Sequence, residues 1–176
     1  MFTGWGVRTL SSDSPRYNPQ GYHVGTVWPH DNSIVAMGFK RYGLETELNQ
    51  LATALFDAAR AFPYYRLPEL FGGTARSAHY APVPYPVACR PQAWAAGAFP
   101  LITQAILGLC PDAPSRTLNI VRPELPPWLQ AVALHGLRVG KASADLFYER
   151  RGTEVAVEVV DVRGDLEVEF KDAWPA

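Results

Sequence analysis

Glu69 sits between Pro68 and the apolar pair Leu70-Phe71, in a loop that continues into Gly72-Gly73. Partly apolar surroundings raise a carboxyl pKa toward the range useful to a general base. The plainer alternative is a Glu that only hydrogen-bonds the backbone of its own loop. Trp5, Tyr22 and Trp28 carry π faces against which C–H-rich rings can stack, or they simply pack their loops. Arg8, His23, His30 and Gln92 are hydrogen-bond donors for a hydroxyl-bearing ligand. Asp31 is the local candidate for a second carboxyl, although its position favours capping the helix that follows. His23 and His30 are seven apart, a spacing that suggests no metal site, and none is expected. Gly72-Gly73 lacks the Lys-Ser/Thr of a phosphate loop.

These residues fall in loops, and the flanking periodicities show what must position them. The first thirty residues are punctuated by Gly, Ser and Pro and show no period, so they form a long loop. A helix follows, capped by Asp31 or Asn32 and ended at Gly43 after Lys40 and Arg41. A second spans about Glu45 to Phe62, with Leu48, Leu51, Ala52, Leu55, Phe56 and Ala59 as its apolar stripe; the short connection predicts an antiparallel hairpin. Residues 63–91 are again irregular and proline-rich. A third helix spans about Gln92 to Leu109, apolar nearly all round and therefore expected to be buried on most sides, with Trp94 in the core and Pro100 as a kink. The tail alternates with period two around 132–139, 146–149, 155–160 and 166–170, the pattern of a small antiparallel meander with one wet face.

Several segments together carry a family resemblance. GWGVRTLS at 4–11, YHVGTVWPHDNSIVA at 22–36, LPELFGG at 67–73, PYPVACRPQAWAAGA at 84–98 and LPPWL at 125–129 resemble the bacterial amylo-α-1,6-glucosidase (glycogen-debranching-like) family of six-hairpin glycosidases. The resemblance implies a mainly α fold. Residues 1–110 would be the C-terminal part of an (α/α)6 toroid, and residues 111–176 a linker and small antiparallel β appendage. It also implies hydrolysis of α-glucans with inversion, Glu69 being the base that activates water. Trp5, Arg8, Tyr22, His23, Trp28, His30, Asp31 and Gln92 would then line the sugar groove.

An inverting pair needs an acid about 6.5–9.5 Å from the base. The family's acid is an Asp in a Trp-Met-Asp type motif, which this sequence lacks. Slow or absent hydrolysis by this chain alone is the resulting expectation. The alternatives are a non-catalytic carbohydrate-binding or structural remnant, or a half-enzyme completed by a separate N-terminal chain. Self-association, or association with a missing N-terminal part, would cover helices left without neighbours.

Composition excludes other classes. Sixteen Lys/Arg against seventeen Asp/Glu leave no basic excess for a nucleic-acid backbone. Two cysteines are too few for a disulfide framework. No apolar run reaches the roughly 18–20 residues of a membrane span, and the N-terminus lacks the pattern of a secretory signal. A cytoplasmic protein without a cofactor is the expectation.

Overall fold

The computed structural model describes residues 1–175. In chain order the described residues form α1 (Pro29–Tyr42), α2 (Glu45–Ala59), a 3-10 turn (Pro63–Tyr65), α3 (Ala93–Leu107), β1 (Leu109–Asp112), β2 (Thr117–Val121), β3 (Ala131–Val139), β4 (Ala142–Arg151), β5 (Glu154–Arg163) and β6 (Glu167–Lys171). This is not a mainly α toroid, complete or partial. Three α-helices stand beside two small sheets, a mixed architecture. The helical periodicities in the sequence number three; the toroid came with the resemblance and had no further helices to build it.

The chain divides into two compact units. The first comprises Met1–Phe39 and Thr46–Ile102. In it α1 starts at Pro29, whose fixed φ suits the first helical position. The helix therefore begins earlier than an Asp31 or Asn32 cap would allow. Asp31 lies in the first turn, where the helix dipole favours a negative charge. The stripe of α2 is buried as expected, at Leu48, Leu51, Ala52 and Leu55. In α3 the expected all-round burial does not hold. Ala95, Ala98 and Ile102 are buried, while Trp94, Ala96, Gly97 and Pro100 are exposed.

The second unit holds Lys40–Glu45 and the chain from Thr103 onward. Gly43 ends α1 with φ +72°, a left-handed conformation that glycine adopts without a Cβ penalty. Lys40 is fully buried; its Nζ lies 3.3 Å from Glu45 and also donates to the Arg122 carbonyl. Arg122 donates back to the Lys40 carbonyl at 2.7 Å. Burial holds the Lys40 pKa below its ordinary value, against the pull of Glu45.

The β tail also differs from a single meander. Strands β3, β4 and β5 form one antiparallel sheet, and β4 buries Ala142, Ala144, Leu146 and Tyr148 in strict alternation. β6 instead pairs parallel with β2, in a second sheet of order β1-β2-β6. Pro111 and Asp112 lie within β1, and the chain turns over 113–116, which includes Pro114. That strand is at a sheet edge, where a proline need not donate. No helix among the described residues is long and apolar enough to cross a membrane.

Candidate active site

Three irregular stretches of the first unit converge on Glu69. Val27 and Phe71 exchange backbone hydrogen bonds of 2.9 and 3.0 Å, which sets residues 67–73 alongside 22–28. Gly72 donates to Val83 O and Gly73 to Pro19 O, both at 2.8 Å. Gly73 has no alternative residue: a Cβ there would lie 1.6 Å from Gly25 O. Asn32 ties α1 into the same assembly. Its Oδ1 accepts from Val7 N at 2.6 Å, and its Nδ2 donates to Val7 O and Trp28 O at 3.0 and 2.8 Å. Loops of this kind carry no ladder, so side-chain bonds of this sort take its place.

Glu69 is 6% exposed, and its carboxylate is bound at both oxygens. Tyr22 Oη donates to Oε1 at 2.6 Å, and Cys89 N donates to Oε2 at 3.2 Å. The Gln92 side chain adds a smaller pull in favour of the ionised form, and its Oε1 accepts from Ala93 N at 3.0 Å. Glu69 N in turn donates to Cys89 O at 3.1 Å, so residues 85–92 brace the loop.

Apolar neighbours were expected to raise the Glu69 pKa; the structure shows the reverse. The Tyr22 hydroxyl, foremost, and the Cys89 amide outweigh desolvation and hold the carboxyl below its usual range. The same bond pushes the Tyr22 phenol up to about 12. The carboxylate is thus kept ionised, at a cost in basicity.

Tyr22, His23, Trp28, His30, Asp31, Glu69 and Trp94 line one hollow of about 300 Å³. Trp28 is 4% exposed and donates through Nε1 to Tyr22 O and Thr26 Oγ1, both at 3.0 Å. His23 stacks on it at 5.1 Å. His30 Nε2 lies 3.0 Å from Asp31 Oδ1. Its ring lies parallel to Trp94 at 4.5 Å and edge-on to Trp28 at 5.7 Å.

Two of the sequence candidates are placed elsewhere. Arg8 is buried, with Nε on Gly73 O at 2.8 Å and its guanidinium over the Tyr17 ring. Trp5 lines a separate apolar hollow of about 280 Å³ with Tyr80, Pro82 and Val83, under the Arg76 guanidinium.

Three contributors escaped the sequence reading: Cys89, which acts through its backbone; Tyr85, whose ring meets Tyr22 at 5.7 Å; and Trp94. Trp94 looked like core because it belongs to an apolar helix. Its position at the second residue of that helix, just after a proline-rich loop, was the available signal. No group of three or more His, Cys, Asp or Glu among the described residues could hold a metal ion.

Residues 2–70 are similar to a glycoside hydrolase domain. They match the family model of the mannosylglycerate hydrolase MGH1-like glycoside hydrolase domain. The matched stretch includes Tyr22, His23, Trp28, His30, Asp31 and Glu69, and it ends before Gln92 and Trp94. The match supports a glycoside hydrolase family of the six-hairpin type and does not single out the amylo-α-1,6-glucosidases. No match was found among curated proteins.

Proposed function

We propose that this chain supplies the base and the sugar-binding wall of an inverting glycoside hydrolase of the amylo-α-1,6-glucosidase kind, acting on α-glucans. One observation carries the proposal: a nearly buried, ionised carboxylate, Glu69, faces a hollow walled by aromatic rings and histidines. In the reaction Glu69 accepts a proton from a water whose oxygen attacks the anomeric carbon. The glycosidic C–O bond breaks on the opposite face, and the leaving oxygen takes a proton from an acid. Asp31 is already engaged with His30, and the acid is assigned to no residue of this chain. A separate N-terminal part, in the half-enzyme reading, would provide it.

The test separates base from acid. Fluoride leaves without a proton, so α-glucosyl fluoride needs only the base. The chain should release fluoride, and Glu69→Gln should cut that rate by about 10²–10⁴-fold. Branched and linear maltooligosaccharides, which need the acid, should be cleaved very slowly or not at all. Equal fluoride release by both proteins would remove Glu69 from the chemistry.

The depressed Glu69 pKa favours a second reading, a carbohydrate-binding wall without catalysis. Saccharide binding with no fluoride release would establish it.

A further inference from the structure

Of the Tyr and Trp side chains that line the hollow around Glu69, Trp94 is the most open, ahead of Tyr22, whose hydroxyl is committed to Glu69. Trp94 is 50% exposed although it belongs to the most apolar helix of the chain. Its indole is not loose. One face lies against the His30 ring, 4.5 Å away and within 14° of parallel. His30 is itself fixed by Asp31 through Nε2 and by the edge of Trp28. A rigid aromatic plane loses little conformational freedom when a ligand settles on it. Trp28 lines the same hollow but is 4% exposed and covered by His23, so it offers far less surface.

The charges of the hollow narrow the ligand. Asp31 and Glu69 both contribute carboxyl groups, and none of the lining residues is Lys or Arg. Arg8, the basic residue among the sequence's binding candidates, is turned to Gly73 O and the Tyr17 ring. An anionic glycoside would meet like charge with no compensating guanidinium or ammonium, whereas an uncharged sugar meets none of that repulsion.

We propose that the open face of Trp94 is the stacking platform of a subsite for an uncharged pyranose ring, and that this hollow discriminates against anionic glycosides. The proposal rests on the glycoside-binding reading of the hollow and adds to it the stacking residue and the discrimination by charge. Sugar C–H bonds would lie against the indole, while His23 and the rim carboxylate of Asp31 meet hydroxyls.

The test is a titration of the whole chain with panose, a neutral trisaccharide with an α-1,6 bond, and separately with mannosylglycerate. Binding is followed calorimetrically and through the tryptophan indole N–H resonances. Trp94→Phe, which keeps a ring, and Trp94→Ala are compared with wild type, and a circular dichroism melt checks that each is folded. Panose should bind and shift the Trp94 resonance. Trp94→Ala should weaken it by about two- to tenfold, with Trp94→Phe in between. Mannosylglycerate should bind more weakly than panose. Panose binding with an unmoved Trp94 resonance and unchanged affinity in Trp94→Ala would overturn the platform and leave the glycoside reading standing. Tighter binding of mannosylglycerate would overturn the preference for neutral sugars. If neither saccharide binds wild type, the glycoside reading itself fails, and the platform with it.

Discussion

The loops around Glu69 and the sheet of β3, β4 and β5 reach order in different ways. The sheet is a ladder, with nine residue pairs between β4 and β5 alone and a single register shift between Asp145 and Leu146. Its stability is spread over many equivalent bonds, and most of β5 is exposed. The loops hold together through single, non-repeating contacts: the Asn32 clamp, the Val27–Phe71 exchange, the Tyr22 hydroxyl on Glu69. A ladder shares the effect of a substitution among neighbours. A one-off contact does not, and that is where positioned chemistry resides.

Glycine substitutions test this contrast most severely. Gly73→Ala drives a methyl into Gly25 O and should cost about 3 kcal/mol. Gly152, in the β4–β5 turn, has φ +67° and open space around it, so Gly152→Ala should cost only about 1 kcal/mol of backbone strain. Urea midpoints of the two variants compare them directly. Equal losses would mean that the loops are no more specific than the turn.

A smaller effect separates the polar contacts. Asn32→Ala leaves the Val7 amide and two carbonyls without their side-chain partner and should cost about 2 kcal/mol. Arg163→Ala in the sheet removes an exposed partner of Asp145 and Asp161 and should change stability by less than about 0.5 kcal/mol. Thermal melts would reveal a breakdown of the contrast if the order were reversed.

The finest comparison concerns protons. Both regions hold a carboxyl below its ordinary pKa: Glu69 chiefly through the Tyr22 hydroxyl, Asp145 chiefly through the Gly136 amide, 2.6 Å away. A depressed folded-state pKa contributes stability above the unfolded value, and that contribution is lost as pH falls through the folded one. Tyr22→Phe should therefore raise the Glu69 pKa, shrink its share of stability at neutral pH and leave Asp145 untouched. Carbon-detected NMR titration of the carboxyl resonances reads both sites at once. An unmoved Glu69 would show that the 2.6 Å bond does not govern its ionisation.

Local patterns in the chain determined its local elements. The stripe of α2, the stop at Gly43 and the period-two strands β3 to β5 follow from side-chain spacing and glycine's access to positive φ. They depend on residues close together in sequence, so they are legible there. The aromatic and carboxylate residues of the hollow were legible as types. Their union was partly so: Tyr22, His23, Trp28, His30, Asp31 and Glu69 meet, while Trp5 and Arg8 do not.

Tertiary structure decided what depends on distant partners. The parallel pairing of β6 with β2 joins residues some fifty positions apart, and no local period encodes it. The sign of the Glu69 shift turned on a hydroxyl 47 residues away, which reversed what apolar sequence neighbours suggested. Trp94 carries the same apolar character in a core as on a rim, and only the ring of His30 beneath it and the hollow beside it make it a surface. Propensity acts between near neighbours along the chain; desolvation, hydrogen bonding and exposure act through space, and the folded loops alone define them.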